Sequence, residues 1–139
     1  ILDALRDVGA PTLAHLRRDH WLGLLKRVAD DGGLLLGNSS AGLIEASALR
    51  PLPLPAVDIG PRQNGRESPQ SVVRVENEAP RPIKAAIRRA ESLSEAWRSG
   101  APLPSHPYGD GCAGERAADA IASIPPHQAR LLLRKHNAY

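Results

Sequence analysis

Leu34-Leu35-Leu36-Gly37-Asn38-Ser39-Ser40-Ala41-Gly42-Leu43-Ile44-Glu45-Ala46 is the stretch on which the fold of this chain turns. Leu34 to Leu36 is a short continuous apolar run, the pattern of a strand covered on both faces of a parallel sheet. Gly37 and Asn38 read as a tight turn. Ser39 and Ser40 are good N-caps for a helix that runs through Leu43, Ile44, Ala46 and Ala48 to about Leu49. Strand, turn and helix in this order form the unit of an α/β fold.

Working upstream, Leu22, Leu25 and Ala29 recur at helical spacing beside Leu24 and Val28, so Asp19 to Asp30 is expected to be a helix with Asp19 placed to cap its first turn. Asp31-Gly32-Gly33 breaks it. Downstream, Pro51-Leu52-Pro53-Leu54-Pro55 can be neither helix nor central strand and reads as a connector to a second strand, Ala56 to Ile59. Arg62 to Glu67 is polar and contains Gly65, hence a loop, and Val72 to Val75 is a third strand. A long helix follows, with Pro82 in its first turn and Ile83, Ile87, Ala90, Leu93 and Trp97 on one face up to Arg98. Gly100 to Gly111 is loop. Asp110 can cap a last helix marked by Ala113, Ala117, Ala120, Ile121 and Ile124, and Pro125-Pro126 ends it. Gln128 to His136 reads as a basic helical tail.

These elements imply an α/β protein with a partial Rossmann-like parallel sheet flanked by helices. A complete domain of that kind has about six strands, so roughly half of the sheet is expected to be missing. The chain starts at Ile1, in the middle of what reads as a structural unit, and a fragment is the expectation. Residues 1–124 are read as the N-terminally truncated domain and 125–139 as a tail.

Composition narrows the function. The chain has 139 residues, 42% of them hydrophobic, with no Phe or Met and only Trp21, Trp97, Tyr108 and Tyr139 as aromatics. A net charge of +3 is spread among interspersed acids and bases, and the aromatic platforms of single-strand binders are missing, which argues against nucleic acid as a partner. Local anion binding is a better use of the arginines. No apolar run spans a membrane and no signal peptide is evident, so a cytoplasmic enzyme is the expectation. His15, His20, His106, His127 and His136 lack zinc-ligand spacing with Cys or Asp, and neither a metal nor a cofactor is expected. Cys112 has no cysteine to pair with and is expected to pack rather than react; Trp21 and Trp97 are expected in the core or at its edge.

In an open parallel sheet ligands bind beyond the carboxyl ends of the strands, which places the loops after Leu36 and Ile59 on one edge. Gly37, Asn38, Ser39 and Ser40 feed a helix N-terminus, where free N–H groups and the helix dipole attract phosphate. Glu45 lies five residues beyond Ser40, roughly 7 to 8 Å along an α-helix axis, close to the step from a diphosphate to its ribose. The residues alone are equally compatible with serines that only cap and a Glu45 that is only solvated.

Three ordered motifs add to this reading: Gly37-Asn38-Ser39-Ser40-Ala41-Gly42-Leu43-Ile44-Glu45-Ala46, Ile59-Gly60-Pro61-Arg62-Gln63-Asn64-Gly65-Arg66-Glu67, and Pro107-Tyr108-Gly109-Asp110-Gly111 with Glu115-Arg116. Together they closely resemble the C-terminal domain of UDP-N-acetylglucosamine 2-epimerases, over about Asp19 to Ile124. Asn-Ser-Ser and Arg-Gln-x-Gly-Arg resemble the hydrolysing branch. The resemblance implies the C-terminal half of a glycosyltransferase-B-like fold that binds UDP, with Ser39 and Ser40 on the diphosphate, Glu45 on the ribose and Arg62 near the nucleotide. Gly37 and Asn38 belong to that UDP-binding turn, and Gln63, Arg66 and Tyr108 are supporting candidates. The family reaction eliminates UDP across C1 and C2 of UDP-N-acetylglucosamine to a glycal-like intermediate, and water then adds to give N-acetylmannosamine for sialic-acid-like synthesis. Its proton-shuttling carboxylates belong to an N-terminal domain and hinge, so no catalytic residue is assigned in this chain, which is expected to be inactive alone. A non-catalytic UDP-sugar-binding module and the donor-binding domain of a glycosyltransferase are the alternatives. Homo-oligomerisation and the exact sugar stay open. Departures from the family pattern are the long Arg50 to Pro55 link, His106 where Asn is usual, and Gly114 where Ser is commoner.

Overall fold

Side-chain alternation along three short strands sorts the helices that pack on the sheet onto its two faces. The computed structural model describes residues 2–125, 127 and 128. Strands β1 (Leu35–Gly37), β2 (Ala56–Ile59) and β3 (Val72–Val75) run parallel in the order β1-β2-β3. β2 and β3 have the bounds read from the sequence. β1 starts one residue later than Leu34, because pairing begins with Leu35 opposite Ala56 and extends to Gly37 opposite Asp58.

One face of the sheet carries Val57, Ile59, Val73 and Val75, and α3 (Pro80–Arg98) covers it with Ile83, Ala86, Ile87 and Ala90. Leu36 points to that same face, yet it is 50% exposed, since α3 packs on β2 and β3 and not over β1. The double covering expected for the Leu34 to Leu36 run is met only in part: Leu34 packs with the α3 cluster and Leu35 with the cluster on the other face, while Leu36 stays open. α3 begins at Pro80, so Pro82 falls in its first turn as expected, and neither proline there requires an N–H partner.

On the opposite face lie α2 (Arg18–Asp30), which the short helix α1 (Leu2–Asp7) precedes in the chain, and a helix over residues 40–48. Their cluster joins Leu25, Ala29, Ala46, Leu49 and Leu54, flanked by Trp21, Val28 and Leu35. Asp19 does not cap α2. Arg17 holds the N-cap position without a side-chain cap bond, and Asp19 sits inside the first turn, 3.3 Å from the Arg17 guanidinium, where its charge still suits the dipole. The other end closes in a Schellman motif: Gly33 N–H donates to Val28 C=O and Gly32 N–H to Ala29 C=O, with Gly32 at φ 79°, a region that a side chain would strain.

The proline-rich connector is part of the core. Leu54 is 0% exposed, and its N–H donates to Ala46 C=O at the end of the 40–48 helix. His106, a departure in the third motif, has a local structural partner: its Nε2 lies 2.9 Å from Ser47 Oγ, whose own hydroxyl donates to Leu43 C=O. Trp97 is buried and Trp21 half-buried, as expected of core and edge residues.

The chain divides into two compact units, Ile1–Pro107 and Tyr108–Tyr139. In the second, α4 (Ala113–Ala122) starts after a turn in which Asp110 accepts from Cys112 N–H and from both Arg116 nitrogens at 2.9 Å. That clamp holds the Asp110 carboxyl down at about 2. Asp110 therefore does not cap α4 as expected: Cys112 holds the N-cap position without a side-chain cap bond, and Asp110 accepts from the Cys112 N–H ahead of the helix and from Arg116. Cys112 is exposed, contrary to its expected packing, because α4 buries none of its side chains among the described residues. The basic tail expected from Gln128 to His136 lies, apart from Gln128, outside the described residues. No described helix is long and apolar enough to cross a membrane.

Candidate functional site

Parallel strands end on one edge, and here two of the loops at that edge are bonded together. Gly37 closes β1, Asn38 and Ser39 are exposed, and the helix begins at Ser40. Ser39 is the effective cap: its Oγ accepts from Ala41 N–H at 3.3 Å, and its C=O accepts from Gly42 N–H. Beyond β2, Gly60 leads into a 3-10 turn, Pro61–Gln63, inside the segment read only as loop. Gln63 is buried, and its Nε2 donates to Asn38 C=O at 2.7 Å. Arg62 and Arg66 flank it on the surface.

The helix after Ser40 is not plain α-helix. Gly42–Ala46 is wound as a π-helix, with more residues per turn than an α-helix, so the axial step from Ser40 to Glu45 is shorter than the 7 to 8 Å expected from α geometry. Gly42 lets this turn lie on the sheet: a Cβ there would stand 3.2 Å from Ala56 Cβ. Glu45 is half-buried and pairs with Arg18 of α2 at 3.3 Å. A cavity of about 200 Å³ opens beside the helix start, lined by Trp21, Leu35, Gly37, Ser39, Gly42 and Asp58 among others.

Asp58 and Arg74 are site residues that the sequence reading missed. Each is a charged residue inside an otherwise apolar strand, and the register sets them side by side; that oddity was the available signal. Asp58 is 4% exposed, and its Oδ2 lies 3.8 Å from Arg74 Nε, an ion pair too long for a hydrogen bond. Its Oδ1, like Gln63 Oε1, has no hydrogen-bond partner among the described residues. Burial pushes the Asp58 carboxyl above its usual range, and the Arg74 charge offsets this only in part. The folded form then binds a proton that the unfolded form has released. Stability contributed by the neutral acid is present at low pH and is lost as pH rises from about the model-peptide value of 3.9 through the raised one. Asp58→Asn is expected to flatten that part of a stability-against-pH profile and to leave the fold at least as stable at neutral pH. Urea unfolding at several pH values checks this; an Asp58→Asn profile parallel to the wild-type one contradicts it.

Asn38, Ser39, Ser40, Gln63 and the backbone of Arg62 are thus gathered at one edge, with Glu45 further along the same helix. Tyr108 belongs to the second unit. The sequence model of the family described as UDP-N-acetylglucosamine 2-epimerase matches residues 9–122, which include every candidate site residue. The chain belongs to the UDP-N-acetylglucosamine 2-epimerase family. It is also 34% identical over 127 residues to the UDP-N,N'-diacetylbacillosamine 2-epimerase (hydrolyzing) of Legionella pneumophila, covering 91% of this chain and 29% of that protein. The chain therefore spans under a third of this 2-epimerase relative. No solved structure gives a significant match. The three-stranded parallel sheet flanked by helices is consistent with the glycosyltransferase-B-like fold of a 2-epimerase.

Proposed function

We propose that this chain is the UDP-holding part of a hydrolysing 2-epimerase that converts UDP-N-acetylglucosamine to UDP and N-acetylmannosamine for sialic-acid-like amino-sugar synthesis in the cytoplasm. The observation that carries the reading is the open start of the 40–48 helix, bonded through Asn38 and Gln63 to the loop that bears Arg62. The diphosphate rests against the amides after Asn38, with Gly37 allowing close approach and the Ser39 and Ser40 hydroxyls adding donors. Glu45 accepts from the ribose hydroxyls, and Arg62 neutralises the phosphates. Gln63 and Arg66 support the site.

The same contacts serve the chemistry. Elimination places negative charge on the departing diphosphate, and amides fixed in advance stabilise that charge without reorganising. A helix dipole supplies at most about 2 kcal/mol, whereas each hydrogen bond to a charged group contributes about 1.5 to 3 kcal/mol, so the directed N–H and hydroxyl groups dominate. The proton-transferring carboxylates lie in an adjoining N-terminal domain, and the chain by itself does not turn over. The Legionella relative favours a second reading of the sugar: a UDP-linked 2,4-diacetamido sugar in place of UDP-N-acetylglucosamine.

Calorimetric titration with UDP tests the reading. Ser40→Ala and Glu45→Ala each remove a hydrogen bond that involves a charged group, and each is expected to weaken binding by about ten- to a hundredfold. A wild-type chain that binds UDP no better than either variant contradicts it.

A further inference from the structure

Beneath the proposed nucleotide site lies a chain of polar contacts that none of the three sequence motifs contains in full. Arg74, on β3, sends one guanidinium nitrogen to two backbone carbonyls, Gln63 C=O at 3.2 Å and Arg66 C=O at 3.0 Å. Its Nε faces the buried Asp58 carboxylate on β2 at 3.8 Å. Arg74 thereby anchors both ends of the segment from Gln63 to Arg66 to the sheet. Gln63 in turn reaches across to Asn38 C=O at 2.7 Å. One peptide plane is the end point of this chain. The Asn38 carbonyl and the Ser39 N–H belong to the same planar trans unit and point in opposite directions. Holding the oxygen on Gln63 fixes the direction of that N–H. If the plane were free to turn over, a carbonyl oxygen would replace an amide donor at the start of the helix, and an anion there would be repelled.

We infer that Gln63 and Arg74 are positioning residues that fix the Asn38–Ser39 peptide in the orientation that receives a nucleoside diphosphate, without touching the ligand themselves. The inference rests on the proposed function and adds to it the parts that prepare the site. Gln63 is suited to the task because its side chain is buried and its partner is a backbone carbonyl, so the donor is shielded from solvent on its own side. Arg74 is suited because one planar group satisfies two carbonyls at once.

The test compares UDP with uridine, which lacks the phosphates, on the full chain and on Gln63→Ala, Gln63→Glu and Arg74→Gln, with each variant's thermal unfolding recorded alongside. Gln63→Glu keeps the shape and loses the donor. UDP affinity is expected to fall about tenfold in both Gln63 variants, while uridine affinity measured by ligand-observed NMR stays within about twofold of wild type. A merely structural role would lower both affinities together, and that outcome overturns the inference. UDP affinity within twofold of wild type in Gln63→Ala overturns it too, while leaving the proposed function standing. A wild-type chain that binds no UDP contradicts the proposed function itself and removes the inference with it. Should Arg74→Gln fail to fold, the Gln63 pair still decides.

Discussion

Truncating Leu54 to alanine is expected to destabilise the first unit by roughly 2 to 5 kcal/mol, the range found when a fully buried leucine leaves a cavity that its surroundings cannot fill. Leu54 is 0% exposed and sits among Leu25, Ala29, Ala46 and Leu49. The prolines on either side limit how far the backbone can move inward to close the gap, which places the cost in the upper part of the range. Domains of this size have total stabilities of about 5 to 15 kcal/mol, so the variant stands near unfolding at 37 °C. The neighbouring Leu52, only half-buried, serves as the control, and Leu52→Ala should cost far less. Urea midpoints for both variants check the pair. Equal, small shifts would mean that the connector is a loose link and not part of the core.

Gly42→Val is expected to destabilise by about 2 to 3 kcal/mol, although helix propensity alone favours valine over glycine by a few tenths of a kcal/mol. The reason is contact. Even a single Cβ at position 42 stands 3.2 Å from Ala56 Cβ, tighter than ordinary van der Waals contact, and two more methyl groups must displace β2 or lift the helix off the sheet. Gly42→Ala is the informative companion: its gain in propensity, up to about 1 kcal/mol, is largely cancelled by the crowding, and its stability should lie close to wild type. Lifting the helix also moves the Asn38 to Ala41 turn, so Gly42→Val should lose UDP affinity under conditions where it is still folded. A valine variant as stable as wild type would contradict the observed helix-to-sheet distance.

β2 and β3 were legible to the residue because each is a short, mostly aliphatic run with a turn-forming or polar residue at either end: Pro55 and Gly60 around β2, Ser71 and Glu76 around β3. β1 was legible in kind but displaced by one, since Leu34 is as apolar as Leu35 and only pairing with Ala56 distinguishes them. The cover on Leu36 was misread for a related reason. A leucine run reports that a strand is apolar, whereas which neighbours cover it depends on where α3 lands. The turn from Gly37 to Ser40 and the helix start were visible through the serines, and Ser39 does cap. The π winding of Gly42–Ala46 was not visible, because no residue spacing or propensity marks it; nor was the close approach of Gly42 to Ala56. Asp58, Gln63 and Arg74 show the same limit from the polar side. Their partners are a neighbouring strand and three backbone carbonyls, and contacts of that kind leave no spacing to read in a single sequence. Cys112 was misplaced because a lone cysteine without a reaction partner was expected to pack, whereas the helix that follows it buries none of its side chains among the described residues.

Docking of a diphosphate on the amides that open the 40–48 helix can be followed through the backbone amide chemical shifts of the isotope-labelled chain, in a titration with UDP and a parallel one with uridine. Saturable shifts are expected at Ser39 and Ser40 with UDP that are small with uridine, together with shifts near Glu45 with both ligands. Saturable UDP shifts that cluster elsewhere and leave those two amides unmoved would rule this docking out.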